Sequence, residues 1–181
     1  MKITHSQLLF LFVGSIAVLS FGARLLPHLP NFTPIGALAL FAGAYLAKKH
    51  WWGLLLPLFI MFVSDLFIGF YDMKLMAVVY GSFLLYALIG KVLPKQNPML
   101  VLGGALGGAV FFYLATNFAV WMFSPWYEKS VEGLILSYTL ALPFFRATLL
   151  GDLLFTGVFF GAFELAKAYL FKTRPGLVVD N

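Results

Sequence analysis

The chain has 181 residues, 62% of them apolar and only 10% charged, and its mean hydropathy is +0.95. That excludes a soluble globular domain and defines an integral membrane protein, in which a formal charge of +5 reads as loop lysines that set orientation and not as affinity for nucleic acid. The absence of cysteine excludes disulfides, thiolate metal sites, cysteine nucleophiles and c-type haem attachment.

Taken in chain order, the first apolar run covers residues 6–23 behind Lys2. A signal peptide is the alternative there, with small residues at Ser20, Gly22 and Ala23, but the run is longer than a usual signal core. The segment "RLLPHLPNFTP", 24–34, then gathers polar residues and three prolines into one link. A second run, 33–47, is barely long enough to cross a hydrocarbon core of about 30 Å and ends at Lys48 and Lys49. The third, 51–70, opens on Trp51 and Trp52; the fourth covers 75–91 and the fifth 99–123. The sixth, 143–171, is entered through Pro143. The expected fold class is therefore all-α, a single domain (1–181) built as a bundle of six transmembrane helices, with no room for a soluble domain.

If all six runs cross, Lys2, Lys48, Lys49, Lys91, Lys95, Lys167, Lys172 and Arg174 lie on one side, against Arg24, Lys74, Lys129 and Arg146 on the other. The positive-inside rule then places both termini in the cytoplasm, and dropping the second crossing would strand Lys48 and Lys49 outside. Under that topology the polar residues gather in the outer half. Asp65 and Asn117 lie about 8–9 Å under the outer surface and Asp152 lies near the midplane. Tyr80 and Ser82 occupy the outer half of the fourth helix, and the link 24–34 sits above them. Small residues show the opposite bias, with Ala39, Gly43 and Ala47, Gly103 with Gly107, Gly104 with Gly108, and Gly157 with Gly161 at the inner side. Such stripes let helix backbones approach closely, so the bundle is expected to be tight inside and open outward around a polar pocket.

A buried carboxylate in a membrane helix needs a partner or a wet cavity. Arg24 and Arg146 are the candidate partners of Asp65 and Asp152. Arg24, His28, Asn31 and Thr33 are the candidate lid and rim, whose prolines limit the entropy lost on closure. Asp65, Tyr80, Asn117, Arg146 and Asp152 are the candidate wall. Trp121, Trp126 and Tyr127 offer either a flat surface for a ring or interfacial anchors. Other chemistries find little support. "GGALGG", 103–108, lacks a following lysine and lies in a helix, so it is no phosphate loop. The histidines at 5, 28 and 50 form no i, i+4 pair, so neither a metal site nor a cofactor is expected.

The stretch "PHLPNFTPIGALALFAGAYLAKKHWWGLLLPLFIMFVSDLFIG", 27–69, resembles the first half of the substrate-binding S components of energy-coupling factor vitamin transporters, and "LPFFRATLLGDLLFTGVFFGAF", 142–163, is similar to their last helix. More narrowly, "NFTPIGALALFAG" and "FYLATNFAVW" are similar to a family of small bacterial proteins described only as transport proteins. The resemblance implies a multi-pass protein of the bacterial cytoplasmic (inner) membrane. It would capture a vitamin-like micronutrient from outside and be energised by a coupling subunit with ATPases, or act alone. S components dock through an Ala-xxx-Ala stripe in their first helix. Here the nearest equivalents are Gly14 with Val18 and Ala17 with Phe21, so Ala39, Gly43 and Ala47 become the candidate docking face. No enzymatic activity is expected. A membrane-embedded enzyme with an external-leaflet site and a structural or assembly subunit remain the alternatives.

Overall fold

The computed structural model describes residues 3–27 and 29–172 and shows six α-helices: α1 (His5–Leu25), α2 (Ile35–Tyr45), α3 (Leu56–Ile68), α4 (Met73–Val92), α5 (Pro98–Phe123) and α6 (Val131–Lys172). A 3-10 turn at Trp51–Leu54 leads into α3. Local chemistry sets most helix starts. Thr4 and Gln7 form a reciprocal capping box on α1, Asp72 accepts the amides of Lys74 and Leu75 at 2.9 and 3.0 Å, and Asn97 caps α5 with Pro98 in its first turn. At the end of α3, Gly69 takes φ 105°, a left-handed conformation that a Cβ would strain.

The helices run back and forth between two ends of the bundle. His5 meets Phe163 edge-on at 6.1 Å, and Tyr45 lies under the Lys95 ammonium at 4.5 Å, so the start of α1, the end of α2, the α4–α5 link and the far part of α6 share one end. Lys48, whose Nζ reaches the Leu93 carbonyl at 3.4 Å, makes this the lysine-rich end. The opposite end gathers the end of α1, the start of α2, the end of α3 and the start of α4 around Arg24 and Asp65.

Four helices, α1, α4, α5 and α6, are long and apolar enough to cross a membrane, and they present large exposed side chains such as Leu11, Val18 and Leu150 to their surroundings. α2 and α3 are shorter, at 11 and 13 residues. α2 has no polar face, and every one of its residues is buried, chiefly against α4 and α6, so it forms the axis of the bundle. Its approach to α4 is backbone on backbone. A methyl on Gly43 would overlap the Ala87 carbonyl, and one on Gly90 would overlap that of Leu40. The stripe expected as a docking face is turned inward: Ala39 and Gly43 are buried against α4, and Ala47 is buried beside Gly53.

α6 differs from its expected bounds. It starts at Val131, not Pro143, and runs 42 residues with Pro143 inside it. Pro143 removes the amide that would pair with the Thr139 carbonyl, a loss that membrane helices tolerate. The preceding turn is closed by Lys129, whose ammonium donates to the carbonyls of Trp121 and, at 2.6 Å, Ser124, capping the end of α5.

Candidate functional site: a polar cavity at the Arg24 end

Two carboxylates organise this end, and the helices hold them differently. Asp65, in the last turn of α3 and 1% exposed, is fully engaged: Arg24 Nη2 donates to its Oδ1, and the Tyr80 hydroxyl from α4 donates to its Oδ2 at 2.7 Å. Arg24 is only partly committed by this, since its Nε is buried without a partner. Asp152, in α6 and 3% exposed, accepts the Tyr86 hydroxyl on Oδ2. The ion pairs among the described residues are Arg24 with Asp65 and Lys167 with Glu164, so Asp152 lacks a cationic partner there.

Glycine makes the second constellation possible. A methyl on Gly36 would overlap Asp152 Oδ1, and one on Gly108 would overlap the Tyr86 ring. α2 and α5 thus leave slots into which carboxylate and phenol fit. Phe32 lies against Gly151, where an added Cβ would stand 3.3 Å from its ring, so the link before α2 is seated directly on α6.

Between the two carboxylates lies a cavity of about 330 Å³, lined by Arg24, Asn31, Thr33, Thr148 and Asp152 on its polar side and by Met61, Phe83 and Phe112 on its apolar side. A second compartment of about 220 Å³ continues from it through the shared residues Asn31, Val79, Phe112 and Thr148 to Thr116 and Asn117. Asn31 stands over both with φ 65°, a left-handed conformation that Asn tolerates better than most residues. Tyr71 closes another wall from the α3–α4 link. Burial, and then the nearby Asp65 charge, push its phenol above the usual range while Arg24 opposes them, so it stays protonated and able to donate.

Of the residues singled out in the sequence, Arg24, Asn31, Thr33, Asn117 and Asp152 line the two compartments, and Asp65 with Tyr80 anchors Arg24 from behind. His28 lies outside the described residues. Arg146 is exposed and lines neither compartment; the partner of Asp65 is Arg24 and that of Asp152 is a tyrosine. The tryptophans lie elsewhere too. Trp126 is 74% exposed, Trp121 donates its indole N–H to the Glu128 carbonyl at 2.9 Å, and neither they nor Tyr127 line a compartment. The aromatic walls are instead Phe83 and Phe112, 5.2 Å apart between centroids, with Tyr113, Phe144 and Phe145 in the second compartment. Thr148, not singled out in the sequence, stands at i, i+4 from Asp152, and Val79, Phe83 and Tyr86 share one face of α4 by i, i+4 and i, i+3 spacing.

The geometry defines a helical membrane protein with a semi-polar cavity at one end of its bundle. The chain belongs to the family described as "Family of unknown function (DUF6580)", whose model matches residues 2–174. No curated protein and no solved structure matches it.

Proposed function

We propose that the protein binds a small vitamin-like micronutrient in the Arg24–Asp152 cavity and serves its uptake, in the manner of an energy-coupling factor S component. In this reading all six helices cross the membrane, the lysine-rich end and both termini face the cytoplasm, and the cavity opens to the outside of a bacterial inner membrane. The observation that carries it is that Arg24 and Asp152, the latter without a cationic partner among the described residues, line one cavity walled by Phe83 and Phe112. A ligand that fits carries an acceptor at the arginine end, a donor or cationic nitrogen at the aspartate end, and a flat apolar body between them. Binding without turnover is the activity this reading expects. With the Ala39, Gly43, Ala47 stripe buried, any coupling subunit would have to dock on other surfaces, and solitary action is equally compatible with the fold.

The test is mass spectrometry of small molecules released from gently purified protein, followed by thermal melting with whatever is found. A compound that raises the melting temperature and is recovered unchanged supports the proposal. Chemical conversion of the compound would favour an enzyme, and a stoichiometric protein partner with no small molecule would favour an assembly subunit.

A further inference from the structure

The lysine-rich end carries a second cavity that the proposed uptake site does not use. It measures about 460 Å³ and lies between the start of α5 and the far part of α6. Lys95 and Lys167 stand at its mouth, and Val101, Leu102 and Phe160 form its walls. It reaches Thr156, eleven residues before Lys167 on the same helix, or about 16 Å along the axis. Gly157 and Gly161 are exposed along one side, and a methyl on either would meet nothing within 4 Å. The cleft therefore opens sideways, onto the flank that lipid covers in a membrane.

Charge is concentrated at the mouth alone. Glu164 is already engaged, by the Tyr45 hydroxyl at 2.6 Å and by Lys167 at 2.8 Å. That leaves Lys95 with Lys48 and Lys49 as an excess of positive charge. Burial first, and then Lys48 and Lys167, push the Lys95 ammonium below its usual range. Like charges held this close favour an anion among them.

We infer that this cleft is a binding site for an anionic phospholipid, with the phosphate at Lys95, beside the Lys167–Glu164 pair, and an acyl chain laid along Leu102, Phe160 and the open glycines. A free phosphate would satisfy the lysines but leave the apolar slot unused. A zwitterionic lipid would fill the slot but bring its own cation to the lysines. Basic pockets between transmembrane helices are known lipid headgroup sites in general.

The full chain in neutral detergent is titrated with phosphatidylglycerol, with phosphatidylcholine of the same acyl chains, and with inorganic phosphate, and read by native mass spectrometry and thermal melting. Phosphatidylglycerol is expected to be retained and to raise the melting temperature, and the other two are not. The change Lys95→Gln, which leaves the Lys167–Glu164 pair in place, should weaken retention at least about tenfold. Gly161→Leu, whose Cβ meets nothing within 4 Å, should block the slot to a similar degree with every charge in place. Thr148→Trp in the other cavity should leave the lipid effect unchanged. Equal retention of both lipids, an equal effect from inorganic phosphate, or retention that survives both the charge and the slot variants would overturn the inference.

Discussion

Asp152 is held by one hydroxyl, that of Tyr86, while Asp65 has both of its oxygens taken by Arg24 and Tyr80. The two aspartates should therefore respond differently to mutation. Asp152→Asn keeps the shape of the side chain and removes its charge, so the folded protein should remain and ligand binding should weaken by about 1.5–3 kcal/mol, the range for a hydrogen bond to a charged group. Ligand-induced thermal shift measures this. Arg24→Ala would strand a buried carboxylate and cost about 3–5 kcal/mol of stability, which makes it a poor probe of binding alone. The double change Arg24→Gln with Asp65→Asn neutralises both partners and should recover most of that loss in a melting experiment. A double variant no more stable than Arg24→Ala would show that the pair is not what holds the ends of α1 and α3 together.

At the scale of helices, the glycines separate into two groups that identical sequence spacing does not distinguish. Gly43 and Gly90 bring α2 and α4 into backbone contact, whereas Gly103 and Gly107, or Gly157 and Gly161, face open space. Gly90→Ala should accordingly destabilise by about 3 kcal/mol or more through overpacking against the Leu40 carbonyl, while Gly103→Ala should be neutral or gain up to about 1 kcal/mol from helix propensity. The comparison is made by melting both variants in one detergent. The same ambiguity limited what could be read of the site. In a soluble protein the polar face of a helix marks its outside, but lipid is as apolar as a helix interface, so Phe83 and Phe112 on cavity walls look like Phe59 or Phe67 on exposed faces. Polar residues in the apolar runs were the legible signal, and Asp65, Tyr80, Asn117 and Asp152 do fall in or behind one pair of compartments. Charge without a face was misleading, as Arg146 shows. Pro143 misled too, because proline was read as the start of a helix that in fact passes through it.

Across the whole molecule, the number and order of helices were legible from run lengths and breaks, while the central position of α2 was not. Its all-round apolar sequence fits a lipid-facing span as well as a buried axis, and only its 11-residue length points inward. The alternation of six helices between a lysine-rich end and an Arg24 end makes a topological prediction. Reporters fused at either terminus should read as cytoplasmic, and a reporter inserted in the 124–130 link should read as external. The central claim is that the Arg24–Asp152 cavity holds a small molecule, and native mass spectrometry of gently extracted protein tests it most directly, comparing the unaltered chain with Thr148→Trp, which fills the space between the two compartments. The account predicts a small-molecule adduct on the unaltered chain that the variant has lost while remaining folded. An adduct carried equally by both would contradict it.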